Sequence, residues 1–270
     1  MGSHTIPALQ KLGYEVFNLD LKTGWDIRKI EDLRKVIEQG DKVLHLAAIS
    51  RFKDADDDPY NAYMTNVLGC GNVASVCQEK RAERLVYSST GSVYMPVEQE
   101  PPITENFKVR GNSVYACSKH WGELVIQKIG FPHIILRYAH LYGEGRLMHG
   151  AIGAFLTRVE RGLAPTLYGG KQSNDFTYIA DVVQANILAL QTAPVNLNNI
   201  FNIGTGEEIT TEKVFEILKK YTGYKGEIEK MPYRSVDPMR FVYDILKARD
   251  VLGYRPEYNF EKGIKEYLGK

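Results

Sequence analysis

Tyr115 and Lys119 stand four residues apart in Tyr115-Ala116-Cys117-Ser118-Lys119, so a helix over this stretch projects both from one face. A phenol with a pKa of about 10 is a poor base at neutral pH. A lysine ammonium one turn away favours the phenolate and lowers that pKa. The pair can then take a proton from a substrate alcohol as a general base. Hydroxyls able to hold such an alcohol lie just upstream, in Ser88-Ser89-Thr90-Gly91-Ser92-Val93-Tyr94, with Thr90 placed to keep its oxygen in line. A Tyr and a Lys at this spacing also occur on ordinary surface helices. The strand-end hydroxyls turn the balance toward chemistry.

The apolar run Leu85-Val86-Tyr87 predicts a buried strand, so these hydroxyls fall where strand meets loop. In an open parallel sheet, ligands bind beyond the carboxyl ends of the strands. Asn112-Ser113 caps the Tyr115 helix. Upstream, residues 5–13 read as a helix stopped by Gly13, and residues 14–20 as a strand closed by Asp20. Residues 28–39 form an amphipathic helix with Ile30, Leu33, Val36 and Ile37 inward. Residues 41–48 form a buried strand ending in Ala47 and Ala48, with His45 a core residue. The acidic run to Asp58-Pro59 initiates a helix and lacks the spacing of a metal loop, so no metal is expected. Further on, residues 134–138 and 201–204 read as strands, and residues 150–162 and 210–221 as amphipathic helices. The expected class is α/β with a doubly wound parallel sheet.

With 270 residues, 44% of them apolar, the chain can build one large or two medium domains. The 34 Lys and Arg against 33 Asp and Glu leave +1, so no bulk charge points to nucleic acid or membrane. Cys70, Cys77 and Cys117 are odd in number and lack metal spacing, as free thiols of a reducing cytoplasm would. No apolar run is long enough for a membrane span and no leader precedes the first element.

The set Ser88–Tyr94, Tyr115–Lys119 and then Leu136-Arg137-Tyr138-Ala139-His140-Leu141-Tyr142-Gly143 resembles the extended short-chain dehydrogenase/reductase family. It is most similar to the NAD-dependent nucleotide-sugar epimerases and dehydratases of the UDP-glucose 4-epimerase type. The resemblance runs along essentially the whole chain. It implies a Rossmann-like NAD-binding domain over residues 1–143 and 175–204, and a smaller α/β substrate lobe over residues 144–174 and 205–270. Gly2 resembles the third glycine of the family's G-x-x-G-x-x-G turn, so the first strand and two glycines of that pattern are expected to be missing. A tag scar over Met1–His4 is the alternative. Asp20, eighteen residues past Gly2, is placed to bond the adenosine ribose, which favours NAD over NADP. Asp26-Ile27 matches the pair beside the adenine, Leu46, Ala47 and Ala48 the close approach to the dinucleotide, and Asn66 a residue bracing the cofactor loop. Ser88, Tyr115 and Lys119 complete the expected cofactor set, Lys119 also gripping the nicotinamide ribose.

On the substrate side the resemblance implies Thr90, Ser92, His140, Asn174, Arg234 and Arg240. His140 replaces a family Asn and Asn174 a family Arg, which weakens the diphosphate anchor; Arg234 and Arg240 are expected to supply charge. Family dehydratases carry an Asp-Glu pair after the strand-end Thr, where this chain has Gly91-Ser92. That implies an epimerase, with Tyr115 deprotonating a sugar hydroxyl at C4. A dehydrogenase or reductase on a smaller alcohol, and a truncated or non-catalytic dinucleotide-fold protein, remain as alternatives. Family members dimerise through four helices, here those near residues 59–77 and 113–128, so a homodimer is expected.

Overall fold

The strands in chain order are β1 (Lys42–His45), β2 (Arg84–Thr90), β3 (His133–Tyr138), β4 (His140–Tyr142), β5 (Thr166–Tyr168), β6 (Ser173–Asn174), β7 (Phe176–Tyr178), β8 (Asn199–Ile203), β9 (Ile209–Thr210), β10 (Glu229–Met231) and β11 (Arg240–Phe241). The helices are α1 (Gly2–Lys11), α2 (Ile30–Val36), α3 (Phe52–Asp57), α4 (Pro59–Tyr63), α5 (Cys70–Lys80), α6 (Val114–Ile129), α7 (Gly150–Glu160), α8 (Ile179–Gln191), α9 (Thr211–Thr222) and α10 (Phe260–Tyr267). They come from a computed structural model that describes residues 1–95, 97, 100–144, 150–233 and 239–269.

β1, β2, β3 and β8 make the central sheet, in that order and all parallel. Successive side chains point to opposite faces. Leu85, Tyr87 and Ile135 therefore pack with Leu33, Val73, Cys77 and Ile126 of α2, α5 and α6. Val86, Ile134 and Leu136 pack on the other side with Leu9 of α1 and Val182 and Ala185 of α8. With helices on both faces, β3 is buried at every residue, and β2 at all but Thr90. A third cluster joins Val93 and Tyr94, just after β2, to Ile103, Phe241 and Tyr243. The smaller sheets pair β4 with β7, β5 with β10, and β6 with β9 and β11.

Local signals behave as side-chain chemistry requires. Asp58 accepts from the Asn61 N–H ahead of Pro59, Ser113 from Ala116, and Thr210 from Lys213. The helix expected over 28–39 is shorter, because Lys29 and Ile37 are both extended. Residues 14–20 differ more: they join no ladder, against the strand expected there. Tyr14 and Val16 still pack on one core and Leu19 on another. Strand status needs a hydrogen-bonding neighbour, and among the described residues β1 is itself an edge strand, bonded only to β2. Among the described residues no helix is long and apolar enough to cross a membrane.

Candidate active site

Thr90 closes β2, and a single tight turn, Gly91–Tyr94, follows. The Ser92 N–H donates to Thr90 Oγ1 at 3.2 Å, and that hydroxyl donates to Ser92 Oγ at 3.2 Å. Gly91 is needed for close approach, because a Cβ there would meet the Tyr243 hydroxyl and, at 2.6 Å, the Phe241 ring. Tyr115 sits in the first turn of α6, half-buried, with the Phe52 ring edge-on at 5.3 Å. The Thr90 side chain is near enough to its phenol to pull the pKa down. Lys119, one turn on, is 2% exposed, and its Nζ lies 4.1 Å from the centre of the Tyr87 ring. The fold thus gathers Thr90, Tyr115 and Lys119 at the carboxyl end of β2.

The electrostatics correct one expectation. Burial pushes the Tyr115 phenol above its ordinary value, and the nearby Thr90 side chain opposes it. Lys119 does not pull that pKa down in this state, because its head group is drawn over Tyr87. Burial also lowers Lys119 to about 8, against the pull of Cys70 and Glu123.

Residues that support Asn66 and Lys119 escaped the sequence reading. Asn66, buried in the wide turn between α4 and α5, accepts from the Ile49 N–H at 2.8 Å and donates to the Ile49 carbonyl at 2.9 Å. Its amide also donates to Ser118 Oγ at 2.9 Å, which joins the loop after β1 to α6. The Ser118 role was not foreseen. Nor was that of Glu123, a carboxylate four residues past Lys119 that is buried against Arg137. Its signal was available: a charge on the helix face that should be apolar. Gly122 lets α6 lie close to the sheet, since a Cβ there would strike the Tyr87 hydroxyl and come within 3.0 Å of the Asn66 carbonyl.

Gly2 opens α1, whose cap residue Met1 supplies no side-chain bond to the first N–H groups. Leu46 is its neighbour, 4.0 Å from where a Gly2 Cβ would stand. Ala47 and Ala48 follow in the loop that Asn66 holds, and Ser88 is buried in β2. Asp20 caps its own turn, Oδ1 accepting from the Lys22 N–H at 2.9 Å, with its side chain otherwise exposed. Asp26 is more committed than its motif suggests. Both its oxygens accept from Arg28, at 2.7 to 3.0 Å, which holds the carboxyl below the usual range. Ile27 is buried, its carbonyl accepting from Asn72. An open helix start, a braced loop of small residues, an exposed acid and a buried lysine form a donor set that fits a dinucleotide.

On the substrate side, His140 is exposed and packs against Phe176 and Phe241, ring centres 5.8 and 5.4 Å away. Asn174 is half-buried in β6, in register with Phe241 of β11. Arg240 does not bring the spare charge expected of it. It donates to both oxygens of Glu208 at 2.8 Å and to Glu100 at 3.2 Å, and so holds Glu208 at about 2. Arg234 lies outside the described residues.

The model of the NAD dependent epimerase/dehydratase family matches residues 1–204. In sequence the chain is 32% identical to a putative UDP-glucose 4-epimerase of Methanocaldococcus jannaschii, over 99% of this chain and 94% of that protein. In structure it is similar to a UDP-glucose 4-epimerase of Thermotoga maritima solved with UDP-glucose, with a TM-score of 0.91 and 27% identity over 99% and 94% of the two chains. It is similar also to a Thermus thermophilus UDP-glucose 4-epimerase in complex with NAD, with a TM-score of 0.84 and 31% identity over 99% and 94%. With a Thr, Tyr and Lys site at the end of a parallel strand and likeness running nearly end to end, the chain belongs to the NAD-dependent epimerase/dehydratase family.

Proposed function

We propose that the protein interconverts the C4 epimers of a nucleotide sugar by transient oxidation of the ring hydroxyl to a ketone, with UDP-glucose and UDP-galactose the first pair to test. The observation that carries this is Thr90, Tyr115 and Lys119 gathered at the carboxyl end of β2, in a chain whose relatives include UDP-sugar 4-epimerases. Gly2, Asp20, Leu46, Ala47, Ala48, Ser88 and Lys119 would hold NAD, with Asn66 bracing the loop. When bound, NAD accepts and returns the hydride, and its oxidised ring adds positive charge to the pocket. Thr90 holds the hydroxyl oxygen, and Tyr115 takes its proton and later gives it back. The Lys119 ammonium stabilises the phenolate as it forms. Gly91 and Ser92 supply no acid or base for eliminating water, which favours epimerisation over dehydration. Residues 1–143 and 175–204 would serve the cofactor, and residues 144–174 and 205–270 the sugar nucleotide through His140 and Asn174.

Purified protein with NAD and UDP-glucose should yield UDP-galactose by proton NMR, and Tyr115→Phe should yield it at least about a hundredfold more slowly. Net NADH formation without the epimer would favour a dehydrogenase instead.

The same reading includes a homodimer. Tyr63 stacks on Trp121, ring centres 5.1 Å apart, and Trp121, Leu124 and Leu68 remain exposed on neighbouring helices. Sedimentation should give a dimer, and Trp121→Glu with Leu124→Glu a monomer. The free thiols Cys70, Cys77 and Cys117 suit a reducing cytoplasm.

A further inference from the structure

Glu123 follows Lys119 by four residues and Tyr115 by eight, so all three project from one face of α6. Its side chain is 1% exposed, and that of its partner Arg137, on β3, is 4% exposed. Arg137 binds it twice, Nε to Oε1 at 2.9 Å and Nη2 to Oε2 at 2.6 Å. Ser89, the residue before Thr90, donates its hydroxyl to the same Oε1. Arg137 also donates to the Tyr94 hydroxyl at 2.8 Å, which donates in turn to Asn202 Oδ1 of β8 at 2.8 Å. One buried carboxylate therefore joins the helix of Tyr115 and Lys119 to the strand of Thr90 and to β3.

Stability alone is a poor reason for this arrangement. Desolvating two charges costs about as much as their attraction returns, and apolar residues of similar volume often do as well. What the ion pair adds is fixed geometry between two elements that must meet at the reacting oxygen. It also adds charge. The groups facing Lys119 are His45 of β1, Cys70 of α5, Tyr87 of β2, and Tyr115 and Glu123 of α6. Burial keeps His45, Cys70, Tyr87 and Tyr115 neutral near pH 7. That leaves Glu123 to favour the ammonium.

Resting on the reaction centre proposed above, we propose that Glu123 and Arg137 are positioning residues. Through Ser89 they set the gap between Thr90 and Tyr115, and the Glu123 charge keeps Lys119 an ammonium where the enzyme works.

The test compares kcat, KM and the pH profile of epimerisation for the wild type, Glu123→Gln and Ser89→Ala, with Tm for each. Glu123→Gln should lose about tenfold to a hundredfold in kcat with KM within about twofold, as for a small misplacement of reacting groups. Its alkaline limb should move to lower pH, because the carboxylate charge that favours the Lys119 ammonium is gone. Ser89→Ala should lower kcat less and leave the limb in place. A lowered Tm with kcat and limb unmoved overturns the proposal. Should Glu123→Gln not fold, Ser89→Ala decides, and an unchanged kcat overturns it. Tyr115→Phe, run alongside, separates the two failures. If it keeps turnover, the reaction centre falls and this proposal with it; if it is inactive while Glu123→Gln leaves kcat and the limb alone, only the positioning role falls.

Discussion

The Nζ of Lys119 lies 4.1 Å from the centre of the Tyr87 ring, over a side chain of the strand that carries Thr90. An ammonium on an aromatic face keeps a partner while losing water. Burial nevertheless brings its pKa down to about 8. The ammonium is present below that pH and lost above it, so turnover should fall as pH rises through about 8. Lys119→Arg, whose guanidinium stays charged, should move that limb upward, and Lys119→Met should abolish turnover. The stability sign follows from the same shift. Between about pH 8 and the unfolded value of about 10.4, the unfolded chain holds the extra proton, so the Lys119 contribution grows with pH. The difference between wild-type and Lys119→Met urea midpoints across that window reads it.

Tyr115→Phe should reduce kcat by about 10²- to 10⁴-fold, the usual worth of a positioned general base. Tm should barely change, because the ring keeps its edge contact with Phe52 and loses only its hydroxyl. Thr90→Val should cost less, about tenfold, and steady-state kinetics with both variants would order the two roles.

Removing Glu123 outright exposes what the ion pair costs when broken. Glu123→Ala leaves Arg137 buried without its carboxylate and should destabilise the fold by about 3–5 kcal/mol. Glu123→Gln with Arg137→Met, which removes both charges, should recover most of that loss. Urea denaturation of the single and double variants closes the cycle.

His45 is 4% exposed and its Nε2 has no hydrogen-bond partner among the described residues. Burial pushes it from 6.5 down to about 3. Above pH 6.5 it is neutral folded or unfolded. As pH falls below that, the unfolded chain takes a proton that the folded one refuses, and stability drops by up to about 1.4 kcal/mol per pH unit. His45→Leu should flatten this slope between neutral and acid pH; an unchanged slope would mean that His45 is protonated alike in both states.

What the sequence determined by itself was local. Strand-end hydroxyls, the one-turn spacing of Tyr115 and Lys119, the caps at Ser113 and Thr210, and the small residues after β1 all follow from chemistry within a few residues. The family pattern added their order and pointed to the reaction. Tertiary structure decided the rest, because burial and charge pairing are set by segments far apart in the chain. Residues 14–20 have a strand's alternation but no ladder, since pairing needs a neighbour that spacing cannot supply. Arg240 is a free cation on paper, yet Glu208, thirty-two residues away, neutralises it. Tyr115 and Lys119 have the spacing of a coupled pair, but packing raises the phenol's pKa and turns the ammonium over Tyr87. Spacing told which groups meet; only packing set how much water each one keeps, and so its charge.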